Sequence, residues 1–382
     1  GNHGHDAPGL QPAFSGEGWG TLRSGHTRLD GLVPEARIGD AHSRPVPGGW
    51  QRASGARRSD GGDFGTARSP LRLEEPCFDA DVPPGGYAWW YVDGVSDDGR
   101  HAITLIAFLG SVFSPYYAWS GRHDPLDHSA LNIALYGAGG HRWAMTERGR
   151  EAVSRNRTQL AIGPSQLDWD GKTLRIAVNE MTVPFPSRIR GEIRIHPQGL
   201  NTKVFALDHN SRHDWHPIAP SARIEVDLEQ PSLSWNGRGY FDINRGSESL
   251  EAGFDRWDWA RASLDDGSAV LYDVTLPDGA NRSLALRFDH QGNVDEHIGP
   301  EAAALPKTLW RVERNTRADI GHVPRVLKTL EDTPFYSRSM LSTRIFGEDT
   351  VAMHESLSLN RFRMPLVKAM LPFRMPRRAG RL

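Results

Sequence analysis

Residues 87–94 read Y-A-W-W-Y-V-D-G, and residues 101–109 read H-A-I-T-L-I-A-F-L. The polar segment S-D-D-G-R at 96–100 separates them, and two apolar runs joined by an Asp-Gly tip are typical of a β-hairpin. Outward from this hairpin, short strand-like runs recur along the chain between Gly, Pro, Asn and Asp residues, and helical periodicity is scarce. This pattern predicts an all-β sandwich or barrel.

The first strand of the hairpin has two apolar faces. Side chains alternate along a strand, so Trp89 and Tyr91 share one face while Trp90 and Val92 share the other. A strand with one solvated face would show polar residues at every second position. We therefore expect this hairpin to be buried on both sides or to line a cavity.

The remaining sequence divides into four segments. Residues 1–70 are rich in Gly, Pro, Ser, Arg and Asp, which predicts a mostly irregular N-terminal arm. Order is expected from residue 71, with a boundary near Pro217–Pro220 and two β-domains at 71–220 and 221–360. Residues 361–382 contain several Arg residues and no acidic residue, which distinguishes them as a basic and apolar tail.

Composition excludes several classes of function. The net charge is −2 over 382 residues, so no global charge favours nucleic acid as a partner. The chain has one cysteine, which rules out an intrachain disulfide. Zinc-ligand spacings, nucleotide-binding glycine loops and a serine nucleophile elbow are absent from the sequence, so we predict no metal site. The 12 Trp residues suit β-structure and apolar cavities.

Two residue pairs place proton-carrying groups beside aromatic rings. His213 and Trp215 are two residues apart, as are Tyr240 and Asp242, so each pair shares one face if its segment is extended. A carboxyl group buried among aromatic side chains is pushed towards its neutral form and can then donate a proton. By spacing alone, Asp242 also fits a strand-end carboxylate that binds backbone N–H groups, and the aromatic residues fit ordinary core packing.

Three long motifs carry a resemblance to a known family. They are G-G-Y-A-W-W-Y-V-D-G-V-S-D-D-G-R-H (85–101), A-F-L-G-S-V-F-S-P-Y-Y (107–117), and G-Y-F-D-I-N-R-G followed by F-D-R-W-D-W-A-R within 239–261. The chain from about residue 71 onwards resembles the carotenoid 1,2-hydratase family, also called hydroxyneurosporene synthase. The resemblance implies two tandem lipocalin-like β-domains and a hydro-lyase that uses no cofactor. It implies hydration of the terminal C1–C2 double bond of acyclic carotenoids such as neurosporene and lycopene.

The family's H-x-W and Y-x-D signatures match His213, Trp215, Tyr240 and Asp242, which the resemblance implies are the catalytic residues. On this basis Asp242 protonates the alkene to a tertiary cation, and His213 positions water and accepts its proton. Trp215 and Tyr240 then offer π faces to the cation. In a second version of the scheme, Asp242 performs both proton transfers and His213 only orients it.

An acyclic carotenoid is a long apolar polyene dissolved in membrane, so its partners should include water and, peripherally, membrane lipid. The interleaved basic and apolar residues of the tail suit an anionic membrane surface, which predicts a peripheral location on the cytoplasmic side. The expected substrate-binding residues are aromatic: Trp89, Trp90, Tyr91, Phe113, Tyr117, Trp257 and Trp259.

Three alternative functions remain open from the sequence. A non-catalytic lipocalin-like carrier of a terpenoid or lipid would need the apolar cavity but no acid. A glycoside-acting β-sandwich enzyme would pair Asp242 with a second carboxylate such as Glu251 or Asp255. A related enzyme that isomerises or cyclises an isoprenoid would form the same cation but release a proton or close a ring.

Overall fold

The hairpin at residues 87–109 lies in the middle of the larger of two big sheets. In the computed structural model, which describes residues 45–53 and 73–378, strand β2 (Tyr87–Ser96) pairs with β3 (His101–Leu109) in antiparallel register. Every residue of β2 except Val95 is buried. The prediction that both faces of this hairpin are buried is therefore confirmed.

The described chain consists mainly of strands. From the N-terminal side these are β1 (Gln51–Arg52), β2, β3, β4 (Ser129–Gly137), β5 (Arg142–Arg148), β6 (Val153–Arg155), β7 (Gln159–Ile162), β8 (Ser165–Trp169), β9 (Leu174–Met181), β10 (Arg188–Pro197), β11 (Phe205–Ala206), β12 (His213–Gln230) and β13 (Leu233–Gly246). They continue with β14 (Arg256–Leu264), β15 (Gly267–Thr275), β16 (Asn281–Asp289), β17 (Val294–Ile298), β18 (Ala303–Leu305), β19 (Arg314–Thr316), β20 (Arg325–Asp332), β21 (Tyr336–Ile345), β22 (Glu348–Ser358) and β23 (Arg377–Arg378).

Helices are few and short among the described residues. The α-helices are α1 (Pro115–Trp119), α2 (Leu250–Gly253), α3 (Leu359–Phe362) and α4 (Pro365–Met370). Single 3₁₀ turns lie at Pro47–Gly49, Pro125–Asp127, Arg150–Ala152 and Leu371–Phe373. No helix in the described part of the chain is long and apolar enough to cross a membrane. The all-β prediction is confirmed.

The strands form two large sheets and one small one. The larger sheet runs in the order β23-β5-β4-β3-β2-β13-β12-β10-β9-β8-β7-β6, with β11 added beside β12. The second sheet runs β1-β17-β16-β15-β14-β22-β21-β20, and β18 pairs with β19 apart from both. Each large sheet thus contains mostly sequential antiparallel neighbours, as local hairpin connections produce.

The predicted division at residue 220, which separated domains 71–220 and 221–360, falls inside a strand. Strand β12 continues through this position, and its pairing with β13 shifts register between His216 and Ala219 and again between Ala219 and Ala222. Prolines have no N–H group for the sheet, so Pro217 and Pro220 occupy these irregularities rather than a linker. The chain changes sheet between β13 and β14 instead.

Part of the predicted irregular arm belongs to the second sheet. Strand β1 pairs with β17, and Trp50 beside it is buried, its Nε1 donating to Asp319 Oδ1 at 2.7 Å. The sequence prediction missed this segment because an isolated Trp in a Gly- and Pro-rich stretch gives no periodic signal. The rest of the 1–70 arm, apart from residues 45–53, lies outside the described residues.

The tail packs against the body of the protein as far as residue 378. Phe362, Val367, Leu371 and Met375 are buried there. Strand β23 pairs in parallel with β5, and the Arg377 guanidinium donates to Glu147 Oε2 at 2.6 Å. The last residues of the predicted tail, 379–382, lie outside the described part.

Alternation along β2 and β13 assigns their two faces to different cores. Ala88, Trp90 and Val92 join a cluster of mainly aliphatic residues that contains no residue of the second sheet among those described, and we call this the core face. Tyr87, Trp89 and Tyr91 join a cluster that also contains residues of the second sheet, and we call this the site face. The site face is therefore enclosed between the two sheets.

Candidate active site

Cross-strand register gathers the Y-x-D pair onto the site face. Strand β13 lies between β12 and β2, with Asp242 opposite Tyr91 and Tyr240 opposite Asp93. On the other side of β13, Trp215 stands opposite Asn244. Directly opposed side chains in antiparallel strands are about 5 Å apart at Cβ, so these residues form one patch.

Asp242 lies at the centre of this patch. Trp215 Nε1 donates to its Oδ2 at 2.8 Å and the Tyr240 hydroxyl donates to the same oxygen at 2.7 Å. The other carboxyl oxygen, Oδ1, is buried and accepts no hydrogen bond from any residue that the structure describes. Asp242 is only 4% exposed. A protonated carboxyl carrying its hydrogen on Oδ1 fits this arrangement, because Oδ2 already receives two donors.

Burial raises the pKa of Asp242 to about 8. The hydrogen bonds from Trp215 and Tyr240 oppose this shift because they stabilise the carboxylate, whereas the nearby negative charges of Glu355 and Asp93 reinforce it. Desolvation is the largest contribution, since water that would solvate the anion is excluded from the space between the sheets. The group is therefore mostly a neutral acid at pH 7.

The second sheet supplies cations that neutralise the surrounding carboxylates. Arg261 on β14 forms a buried ion pair with Asp93, and Arg338 on β21 forms one with Glu355. Arg338 also donates to the Tyr91 hydroxyl at 3.0 Å. Because these cations are paired with other carboxylates, none of them forms an ion pair with Asp242 among the described residues. Asp242 consequently keeps its raised pKa despite cations close by.

His213 belongs to a separate hydrogen-bond network. Its Nδ1 lies 2.7 Å from the Tyr87 hydroxyl and its Nε2 lies 3.2 Å from Glu248 Oε1. Its backbone N–H donates to Asp208 Oδ1 at 3.0 Å, and the ring packs on Phe254 at 4.6 Å. The side chain is fully buried, and burial lowers the pKa of its imidazole although the Glu248 carboxylate opposes this.

The predicted partnership between His213 and Asp242 is indirect in this structure. His213 stands opposite Gly246, four residues along β13 from Asp242. At about 3.4 Å per residue this separates the backbones of His213 and Asp242 by roughly 14 Å along the strand. Trp215 lies between them on β12 and donates to Asp242, whereas the His213 ring contacts Tyr87, Glu248 and Phe254. The structure thus brings together three of the four predicted catalytic residues and sets His213 apart.

Comparison with known proteins agrees with the motifs. Residues 105–382 match the family of carotenoid hydratase CrtC. The chain belongs to the carotenoid hydratase CrtC family. It is 53% identical to an acyclic carotenoid 1,2-hydratase of Thiocapsa roseopersicina over 380 residues, which covers 98% of this chain and 94% of the relative. It is 48% identical to the protein of that description from Rubrivivax gelatinosus, with the same coverage.

A solved structure of an AttH-like protein from Nitrosomonas europaea shares the fold of this CrtC family member. The TM-score is 0.53 at 14% sequence identity, over 77% of this chain and 99% of the other. At this identity the similarity concerns the fold alone. The predicted tandem lipocalin-like architecture is confirmed.

The aromatic residues predicted to bind substrate divide between several places in this CrtC family member. Trp89, Tyr91, Trp257 and Trp259 all belong to the cluster between the sheets. Trp259 packs on Tyr91 at 5.5 Å between ring centroids, and Trp257 on Trp89 at 6.4 Å. These four rings therefore surround the site face.

Trp90 has a different position from the one predicted for a substrate-binding residue. Because it alternates with Trp89 and Tyr91, it lies on the core face, where it packs on Phe78 and its Nε1 donates to the Pro76 carbonyl at 2.9 Å. The sequence could not say which face would meet the second sheet, since both faces are apolar.

Phe113 and Tyr117 lie further from Asp242. Phe113 is partly buried and packs on Phe335 and Phe362 at the C-terminal segment. The hydroxyl of Tyr117 donates to the Gly86 carbonyl at 2.8 Å, which anchors the start of β2. Phe113 thus remains at one edge of the aromatic cluster, whereas Tyr117 has a structural contact.

The carboxylates considered for glycoside chemistry are engaged elsewhere. Glu251 forms an ion pair with Arg122, and Asp255 forms one with Arg363 at 3.0 Å. Neither makes a hydrogen bond or ion pair with Asp242 among the described residues. Within residues 45–53 and 73–378, no group of three or more His, Cys, Asp and Glu side chains is arranged to hold a metal ion.

Sequence reasoning missed several residues of the site. Asn244 could have been predicted from the sequence, since alternation places this residue on the same face as Tyr240 and Asp242. Tyr272 reaches the patch from β15 and packs on Trp215 at 5.2 Å. Tyr272, like the two arginines and Glu355 described above, comes from the second sheet, and no spacing rule connects the two sheets.

Proposed function

We propose that this protein is an acyclic carotenoid 1,2-hydratase, which adds water across the terminal C1–C2 double bond of substrates such as neurosporene and lycopene. The observation that carries the proposal is Asp242, a buried acid with a raised pKa and one oxygen without a described partner, surrounded by aromatic rings. The relatives named as acyclic carotenoid 1,2-hydratases support the same reaction.

The first step is protonation of an isolated alkene, which is a very weak base. Asp242 transfers its proton to C2, and a tertiary cation forms at C1. The low polarity around Asp242 keeps its carboxyl protonated at pH 7 and excludes water that would compete for the proton. Proton and water are the only reagents that this addition requires, so we propose no cofactor.

The rings around Asp242 stabilise the cation. Trp215 and Tyr240 contact its carboxyl directly, and Trp259 packs on Tyr240 at 5.4 Å. A desolvated cation over an aromatic face gains about 2 kcal/mol. The carboxylate left on Asp242 after proton transfer adds a negative charge at the same place, so the ion pair forms and collapses inside the site.

We assign both proton transfers to Asp242, the second of the two versions that the family signatures allow. After it protonates C2, its carboxylate is the base that lies nearest to C1 and can accept a proton from the attacking water. His213 then acts as a positioning residue through its bond to the Tyr87 hydroxyl at 2.7 Å. Tyr87 stacks on Trp89 at 5.0 Å, so this bond supports the aromatic wall.

A chain of aromatic contacts offers a path for the polyene. Neighbouring ring centroids lie 5.2 to 6.4 Å apart along the series Phe362, Phe113, Phe108, Trp89, Trp257, Tyr272 and Trp215. The series begins at the C-terminal segment and ends at the indole that binds Asp242. A long conjugated chain can exchange contacts with such rings one after another as its end moves towards the acid.

The outer end of this path lies beside exposed apolar side chains. Leu366 is 71% exposed and Phe373 is 79% exposed. Phe185 is 84% exposed and lies two residues after Val183, whose N–H donates to the Trp143 carbonyl. The Arg374 guanidinium stacks on the Trp143 ring, which connects this segment with the C-terminal segment. We propose that these apolar side chains enter one leaflet from the cytoplasmic side, so that the polyene reaches the protein without crossing water. Several basic residues of the tail bind carboxylates or carbonyls within the protein, so the proposed membrane contact is mainly apolar.

Incubation with liposomes that contain lycopene tests the proposal. A hydratase yields product heavier by one water, measured by mass spectrometry after extraction, whereas a carrier returns its ligand unchanged and an isomerase or cyclase returns the substrate mass. The double variant Leu366→Ser/Phe373→Ser should bind liposomes at least about tenfold more weakly, since each side chain can contribute over 1 kcal/mol of apolar burial. Ile320→Ser, which alters a 74% exposed residue between β19 and β20, is the matched control.

A further inference from the structure

Asn244 is a buried polar residue of the site with one N–H donor that no described residue satisfies. It follows Asp242 by two residues on β13, so both side chains lie on the site face. It is 3% exposed, and its amide hydrogen-bonds the Tyr272 hydroxyl on β15. The Nδ2 group carries two N–H donors and one hydroxyl takes at most one of them, so a buried donor lacks an acceptor among the described residues, which costs about 1–3 kcal/mol.

The surroundings of Asn244 favour a small polar occupant. Trp215 is its cross-strand neighbour, and the hydrogen bond from the Asn244 amide to the Tyr272 hydroxyl lowers the pKa of this phenol, whereas burial raises it more strongly. Asp242 raises the pKa of the same phenol, so Tyr272 faces both residues. A second polar atom without a described partner, Asp242 Oδ1, lies on the same patch.

One water molecule can bridge the two polar groups. Residues two apart on a strand are separated by about 6.8 Å at the backbone, and their side chains leave the same face of the sheet. A water that accepts a hydrogen bond from one group and donates to the other spans about 4.5–5 Å between their heavy atoms, because its two bonds meet at a nearly tetrahedral angle. An ordered buried water needs two to four polar partners, and Asn244, Asp242 and the Tyr272 hydroxyl provide three.

We propose that Asn244 binds the water that attacks the C1 cation, an inference that rests on the function proposed above. The Nδ2 group donates to the water oxygen, which holds the molecule beside the carboxylate of Asp242. In the addition step a lone pair of this oxygen forms the C–O bond at C1. One of its protons passes to Asp242, which restores the acid that was consumed when C2 was protonated. The sum of the two steps is alkene plus water giving the tertiary alcohol.

The inference predicts a change in the fate of the cation, which a merely structural residue would not alter. In Asn244→Leu the cation still forms, because Asp242 is intact, but it waits longer for water and more often loses a proton. The lost proton comes from C2, which regenerates substrate, or from the C1 methyl groups, which gives an isomer. In D₂O both events leave deuterium in an alkene of the substrate's skeleton.

The experiment measures two products of lycopene in D₂O: hydrated carotenoid and deuterated alkene. We expect hydration by Asn244→Leu to fall about tenfold, equivalent to about 1.4 kcal/mol, while the ratio of deuterated alkene to hydrated product rises at least about fivefold. Asn244→Gln, which retains a carboxamide, should recover part of the hydration. Asn236→Ala, which changes an exposed residue of the same strand, is the control and should match the unaltered protein.

The outcomes separate failure of this inference from failure of the proposed function. If both products fall in parallel in Asn244→Leu, or neither changes, the water is not held by Asn244 and the inference is overturned. If the unaltered protein neither hydrates lycopene nor deuterates it, the proposed function itself fails. Loss of folding by Asn244→Leu is detected by circular dichroism, and the Gln variant then decides through the same product ratio.

Discussion

The core face and the site face of strands β2 and β13 have opposite chemistry although they share one backbone. The core face carries Trp90 and Val92 and packs on aliphatic side chains of the larger sheet. The site face carries Tyr91 and Asp242 and meets the second sheet through rings, ion pairs and polar groups without described partners. One face is arranged as a protein interior normally is, and the other keeps costly buried polar groups.

This difference indicates that the site face, and not the core face, carries the function. A lipocalin-like sheet needs only one face to form its own core, so the outer face of the strands is free to support chemistry once a second sheet covers it. Covering excludes water, and the exclusion of water is what raises the pKa of Asp242 to about 8. The second sheet therefore raises the pKa of Asp242 by covering it. Among the described residues, its arginines Arg261 and Arg338 form ion pairs with Asp93 and Glu355 and none with Asp242.

The largest effect should come from removing the acid on the site face. Asp242→Asn keeps the size of the side chain but carries no transferable proton, so hydration of lycopene should fall about 10³-fold, within the range of general acid catalysis. His213→Asn alters the neighbouring hydrogen-bond network and should lower the rate of hydration only about tenfold, because His213 acts through Tyr87. Initial rates with lycopene in liposomes provide the measurement.

A nearly normal rate in Asp242→Asn would refute the proposed mechanism. Equal losses in the Asp242 and His213 variants would instead favour the first version of the scheme, with His213 as the base for water. Both variants need a check of folding by circular dichroism, since each residue is buried.

The pH dependence of the reaction should follow the protonation of Asp242. The reactive form is the neutral acid and its pKa is about 8, so kcat should be level below about pH 7 and fall about tenfold per pH unit above about pH 8. The measurement is a rate profile from pH 6 to 10. A rate that rises with pH in this range would show that an ionised base, and not an acid, limits the reaction.

Trp89 and Trp90 compare the two faces at adjacent positions. Trp90→Ala and Trp89→Ala should each lower the free energy of unfolding by about 3–5 kcal/mol, because both remove a large buried ring. Only Trp89→Ala should also raise KM for lycopene, by about tenfold, since its ring borders the site. Denaturant titration and steady-state kinetics separate the two effects, and a raised KM in a folded Trp90→Ala would place substrate on the core face.

The stability of the folded protein should also change with pH. The carboxyl of Asp242 ionises near pH 3.9 in an unfolded chain but near pH 8 in the folded protein, so the folded state binds more protons between these values. The stability that Asp242 contributes is therefore complete below about pH 4 and is lost as pH rises towards about 8. The unfolding free energy of the unaltered protein minus that of Asp242→Asn should be smaller at pH 8 than at pH 5. A difference that grows as pH rises would contradict the raised pKa.

Sequence reasoning identified the hairpin, the all-β class and the Y-x-D pair because each depends on contacts within a few residues or on alternation. It placed the domain boundary at Pro217–Pro220, because proline usually marks a connection, whereas β12 accommodates these prolines in bulges. It paired His213 with Asp242 since spacing gives the face of a side chain but no distance between strands. It included Trp90 among the substrate-binding residues because two apolar faces look alike in one dimension.

The amino-acid sequence by itself determined which side chains share a face on each strand, since alternation is a property of the extended backbone. Only the tertiary structure decided that β13 lies between β12 and β2, which brings Trp215 and Tyr240 onto one oxygen of Asp242. It also decided which face the second sheet covers. The raised pKa of Asp242 follows from that cover, because desolvation depends on atoms that are distant in the sequence and adjacent only in the folded chain.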